Sequence, residues 1–170
     1  LNKMKMTKRI FAVALSCVMA FSLAACGGKK DDTSKAKDVV KKFMTALKNV
    51  DTEGIKKIVD KKHADELKND SLGEQKELMK KFLSKSAATF KSGEIKKDST
   101  TGELKFEITH LKLTTEKMLK LGKNPKPEDI NKLETGKTEI TVKFVKEGEE
   151  WKISNPEELL RTAMGMKSKK

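Results

Sequence analysis

The chain has no tyrosine, one tryptophan and two cysteines in 170 residues, and beyond residue 25 it has a single arginine, Arg161. Each shortage removes a class of function. Five phenylalanines and Trp151 are the only aromatics after Cys26, so the core must rely on Leu, Ile, Val, Met and Phe. Bidentate reading of bases favours arginine, and single-strand binding favours aromatic platforms. Nucleic acid is therefore not an expected partner. The glycines form no phosphate-cradling pattern, no serine stands in a nucleophile-elbow context, and no internal repeat is present. No cofactor is expected.

What is abundant is lysine. The chain carries +13 overall; residues 1–25 hold Lys3, Lys5, Lys8 and Arg9 and no acid, which leaves +9 for the remainder. Charged residues make up 37% of the chain, against 36% hydrophobic, the balance of a strongly solvated domain. Such an excess of lysine serves first as a solvating surface, and second as a face for anionic lipid or an acidic wall polymer.

The amino terminus has the layout of a secretory signal: a basic region ending at Lys8-Arg9, an apolar run from Ile10 to Phe21, then Ser22-Leu23-Ala24-Ala25-Cys26. Twelve apolar residues fall short of the ~20 that span a bilayer, although the uncharged stretch extends to Gly28, which leaves an uncleaved anchor as an alternative beside a plain cleaved signal. Met4 and Met6 offer starts alternative to Leu1. Leu23-Ala24-Ala25-Cys26 closely resembles the bacterial lipobox. The resemblance implies a diacylglyceryl group on the Cys26 thiol, peptide cleavage between Ala25 and Cys26, and attachment to the outer, extracytoplasmic face of the cell membrane. Two acyl chains hold a protein stably where one does so marginally, at about 0.8 kcal/mol per buried methylene. Cys17 would leave with the signal, so the mature chain would have neither a free thiol nor a disulfide, which excludes redox catalysis and thiolate metal sites.

The division that follows is a signal over 1–25, a lipidated tether over 26–34, a folded domain over 35–166 and a basic tail over 167–170. Gly27–Ser34 is polar and aperiodic, and eight such residues span roughly 16 Å r.m.s.. Ala36, Val39, Val40, Phe43, Met44 and Leu47 recur at helical spacing. A shorter helix starts at Asp51 or Thr52 and buries Ile55, Ile58 and Val59. A third spans about Leu72–Phe90, opened by a capping box of Ser71 and Glu74. The period then becomes two. Residues 92–98 form a weak strand around Ile95, and Leu104, Phe106 and Ile108 mark a strong one, whose alternation slips between His110 and Leu111 and suggests a bulge. Thr138–Phe144 and Trp151–Ile153 are further strands, joined through Glu147-Gly148-Glu149. The long excursion 114–136 holds a short helix near 115–121, ended by Gly122. Asn155 as N-cap and Pro156 at the first helical position open a final helix.

Helices followed by an antiparallel sheet and a C-terminal helix make the fold class α+β. The order of elements, the segment Asp51-Thr52-Glu53-Gly54-Ile55 and the ending Glu150-Trp151-Lys152-Ile153 resemble the nuclear-transport-factor-2-like cone. More narrowly, the pattern is similar to uncharacterised lipoprotein domains of Gram-positive bacteria, in which a Trp-Lys-Ile strand runs into a Leu-Leu helix. The resemblance covers residues 34–166. It implies a curved sheet wrapped on a long helix, with a concave face able to form a pocket; the family holds enzymes, binders and structural proteins alike.

On that face the lining would be Phe106, Ile108, His110, Ile140, Val142 and Phe144, with Leu104 beside them. Only His110 is polar. A general base needs a carboxylate to orient it, and none is evident in sequence, so a half-buried rim histidine is the expectation. His63, in Asp60-Lys61-Lys62-His63-Ala64-Asp65-Glu66, could ligate a metal, but flanking lysines oppose a cation; a solvated surface turn is expected and no metal site. Trp151 reads as a core residue rather than a stacking platform. The function these features favour is a non-enzymatic, membrane-anchored accessory or ligand-binding domain. An electrostatic module for anionic lipid or wall polymer is the alternative, with an isomerase- or dehydratase-like enzyme third.

Overall fold

A computed structural model describes residues 31–67, 75–122 and 125–166. The expected signal, the expected cleavage site at Ala25 and Cys26, the beginning of the expected tether, the expected Ser71–Glu74 capping box and the tail 167–170 lie outside the described residues. Four helices come first: α1 (Asp32–Lys48), α2 (Thr52–Lys56), α3 (Lys61–Glu66) and α4 (Gln75–Leu83). Then come β1 (Ala87–Ser92), β2 (Thr101–Leu111), α5 (Thr115–Leu121), α6 (Pro127–Asn131), β3 (Thr135–Glu147), β4 (Glu150–Ile153) and α7 (Pro156–Ala163). The architecture is α+β, with helices and one open antiparallel sheet ordered β1-β2-β3-β4.

Strict alternation along β2 and β3 gives the sheet two unlike faces. Their register runs unbroken from Thr101↔Val145 to Leu111↔Thr135, setting Leu104 opposite Val142 and Phe106 opposite Ile140. Residues of the other parity form a charged lattice, in which Lys137 Nζ lies 2.9 Å from Glu107 Oε1 and Lys91 Nζ 3.6 Å from Oε2. The apolar face is covered by α1 and α7. From α1 come Ala36, Val40, Phe43, Met44 and Leu47, and from α7 Leu159 and Ala163, into one continuous core. Fully burying a Phe43- or Leu159-sized side chain stabilises by about 1.5–3 kcal/mol.

The first helix begins earlier than its apolar spacing indicates. Asp31 is its N-cap, its side chain accepting from Ser34 N at 2.6 Å. Thr33 Oγ1 accepts from Ile95 N at 2.8 Å, and Asp32 accepts from the Trp151 indole. Residues 31–34 are thus folded, not tether, because their polar side chains cap a helix and fasten it to two distant segments.

Three further corrections share one cause, that pairing partners outweigh local preference. The third helix stops at Leu83 rather than Phe90, since Ser86 is buried with its hydroxyl donating to Ala163 O at 2.9 Å and Ala87–Ser92 pairs with β2. Phe90 stands edge-on to Phe106 (centroids 5.8 Å apart, 73°), a strand contact. Ile95 is buried from a loop, not a strand. No bulge breaks β2 at His110–Leu111; the irregularity lies in β1 between Phe90 and Ser92, and Leu111 is simply buried despite its odd parity.

The excursion after β2 holds the expected α5, closed by Gly122 at φ 67, and also α6, whose Ile130 is buried. It lies against α4, with Lys85 Nζ donating to Asn131 O at 2.7 Å. The free edge of β4 is partly taken up by residues 58–60: Ile153 N donates to Ile58 O and Asp60 N to Ile153 O, both at 3.0 Å. This leaves α3, and His63 with it, next to the start of α7.

Candidate functional site

The residues expected to line a concave pocket lie in filled core instead. Leu104, Ile108 and Val142 have no exposed surface, and Phe106, Ile140 and Phe144 keep 5% or less. An apolar sheet face of this width demands cover, and α1 and α7 supply it. None of these residues lines either of the two clefts described below.

His110 serves the fold. Its Nδ1 is 3.0 Å from Leu111 O and its Nε2 2.9 Å from Thr138 Oγ1. A carbonyl only accepts, so Nδ1 carries the proton, and in the neutral ring Nε2 accepts from the Thr138 hydroxyl. That tautomer is inferred from the partners. The strand partner is Gly136, where a β-carbon would stand 3.0 Å from the imidazole Cε1. The half-buried ring is held by a carbonyl and a hydroxyl, and no carboxylate among the described residues bonds to it.

The larger cleft is a groove of about 930 Å³ between α1, residues 49–58 and the β3–β4 turn. Lys35, Lys41, Lys42, Lys57 and Lys152 stand around it with Asp38, Asp51, Glu149 and Glu150. Several of these charges are already engaged. Asp51 caps α2 through Gly54 N at 2.9 Å, and Lys152 Nζ donates to Lys57 O at 2.7 Å and pairs with Glu150. The Lys152 hydrogen bond, then its charge, holds the Glu150 carboxyl below its ordinary range, with Lys42 adding. Lys41, Lys42 and Lys57 form no ion pair among the described residues. Trp151 is 3% exposed and lies in the core, as its sequence context implies, yet one side of it also borders this groove.

The smaller cleft is a recess of about 260 Å³ between α1, α2, α3 and the start of α7. Phe43, Ile55, Leu67, Pro156 and Leu160 make it apolar, and His63, Glu66 and Glu157 supply its ionisable groups. His63 is not in a surface turn. Asp60 caps α3, accepting from His63 N at 3.0 Å, and the same Oδ1 bonds His63 Nδ1. This is the same Asp-x-x device that starts α1 and α2, with a histidine at the third position. The cap thereby orients the ring, and both partners are largely covered, with side chains 19% and 15% exposed. Among the described residues no three metal-ligand side chains stand together.

Sequence reasoning missed this recess because its walls come from four separate elements. A usable signal was present nonetheless: Asp60 three residues before His63, read as an N-cap, predicts both the helix and the Asp–His contact. The chain matches no protein-family model, no curated protein and no solved structure.

Proposed function

We propose that the protein is a lipid-anchored, extracytoplasmic binding domain that takes a small ligand in the recess beside His63. Anchoring rests on the basic region, the apolar run and the Leu23-Ala24-Ala25-Cys26 segment; the cone-like family is favoured by the element order alone. Binding rests on one observation, a recess of about 260 Å³ walled mainly by apolar side chains. An apolar cavity of about 150 Å³ already accepts benzene, so this one suits a ligand of roughly ten heavy atoms. Binding is favoured over catalysis because, among the described residues, no Ser, Thr, Cys or Lys lines the recess beside the Asp60–His63 pair. The test is a titration of the purified protein with 1-hexanol, followed through the methyl signals of Ile55, Leu67 and Leu160. Saturable shifts confined to these residues support the reading. Their absence at millimolar hexanol contradicts it.

The groove favours a second reading, a contact with anionic lipid or wall polymer. The observation is that Lys41, Lys42 and Lys57 border it without ion-pair partners among the described residues. Each lysine close to an anionic surface adds about 1 kcal/mol. Binding to phosphatidylglycerol vesicles that weakens steeply with salt, and weakens again in Lys41→Gln/Lys42→Gln, supports this. Salt-insensitive or absent binding contradicts it.

A further inference from the structure

The described lining of the recess contrasts with the lysine-rich chain around it: among the described residues neither lysine nor arginine lines this cleft. Its ionisable lining is Glu66, Glu157 and His63, with Asp60 directly behind the ring. Because Asp60 and His63 are bonded to each other, a protonated His63 is offset by that carboxylate. Among the described lining residues the two glutamates therefore set the sign of the recess whichever form the ring takes.

Carboxylates of the sheet meet lysines, as Glu103, Glu107 and Glu139 do. Neither Glu66 nor Glu157 forms an ion pair among the described residues. Glu157, in the first turn of α7, is favoured by the helix dipole. Glu66 closes α3, the end at which a carboxylate is disfavoured. Both carboxylates are exposed at the border of an apolar cavity, and so are open to a cation from outside.

We propose that the recess recognises a small organic cation: a protonated amine whose apolar body sits among Phe43, Ile55, Leu67 and Leu160, with its ammonium between Glu66 and Glu157. This rests on the recess being the ligand site and adds to it the chemical class of ligand. Anions of the same shape are rejected, since among the described residues they would meet two carboxylates and no cationic partner other than a protonated His63 already paired to Asp60.

Three probes with one body and different heads test it on the purified protein: hexylammonium, 1-hexanol and hexanoate, titrated at neutral pH and followed through the recess methyl signals. Hexylammonium is expected to bind about tenfold more tightly than hexanol, with hexanoate weakest, and the preference should shrink as salt rises. In Glu66→Gln/Glu157→Gln, isosteric changes at exposed positions that leave the core intact, hexylammonium affinity should fall to that of hexanol while hexanol affinity stays. If hexanol binds but hexanoate equals or exceeds hexylammonium, or if the double variant keeps the preference, the cation assignment is overturned and the recess remains a site. If none of the three binds, the recess itself is overturned.

Discussion

The indole Nε1 of Trp151 donates to Asp32 Oδ1 at 3.2 Å, joining the last strand to the first turn of α1 across 119 residues of sequence. The bond holds Asp32 below its ordinary carboxyl value of 3.8, with Lys35 and Lys146 adding to the effect. A carboxylate whose folded-state pKa is depressed stabilises the fold above the unfolded value, and that contribution is lost as pH falls through the folded one. Asp32→Asn keeps an acceptor but no charge. It should melt below the wild type at neutral pH, and the gap should close in acid, as pH falls below the ordinary carboxyl value of 3.8 and through the lowered folded-state one. Thermal melts across pH check this; a gap that stays constant contradicts it.

Gly165 follows α7 at φ 73, and a β-carbon there would run into Leu111 O. Both the left-handed backbone and a rigid carbonyl oppose any side chain. Gly165→Ala should therefore cost about 2 kcal/mol or more, lowering Tm by roughly 6 °C or more in a domain of this size.

Asn155 was expected as the side-chain cap of α7, but it makes no cap bond. Its Oδ1 accepts from Lys143 N at 2.8 Å, and its Nδ2 donates to Thr141 O at 2.8 Å and Glu158 Oε2 at 3.0 Å. The amide imitates a further strand residue beside β3. Asn155→Ala should destabilise by about 1–2 kcal/mol in urea melts. Asn155→Asp keeps the Lys143 bond but sets two carboxylates together, so its deficit should be largest at neutral pH and shrink in acid, below about pH 4.

Core and recess should separate by variant. Ile108 is fully buried, and Ile108→Ala should cost about 2–5 kcal/mol while leaving hexanol affinity unchanged under native conditions. Leu160 is half-buried and lines the recess; Leu160→Ala should cost less stability and weaken hexanol binding severalfold. Urea melts paired with the hexanol titration distinguish the two.

Where one face carried the pattern, the sequence was legible. Leu104, Phe106 and Ile108 announced β2, Val40, Phe43 and Leu47 announced α1, and Gly122 marked the end of α5. It misled where the deciding partner was distant. Ala87-Ala88-Thr89-Phe90 reads as the end of a helix until β2 is there to pair with it. Asp31–Ser34 reads as tether until Trp151 and Ile95 are there to hold it. The face expected to hold a pocket was identified correctly as apolar, but the same α1 and α7 that its pattern demands fill it. His110 is half-buried, bonded to Leu111 O and Thr138 Oγ1. His63 was underweighted, because its significance depends on Phe43, Ile55 and Leu160 converging from three other segments.

The account turns most on Cys26, since an extracytoplasmic anchored binding domain presupposes the lipid. Intact-mass spectrometry of the protein purified from bacterial membranes tests this directly. The expected mass is that of residues 26–170 with a diacylglyceryl group on the Cys26 sulfur, and Cys26→Ala should leave residues 1–25 uncleaved. A mature chain with a free Cys26 thiol, or a wild-type chain that keeps residues 1–25, would contradict it.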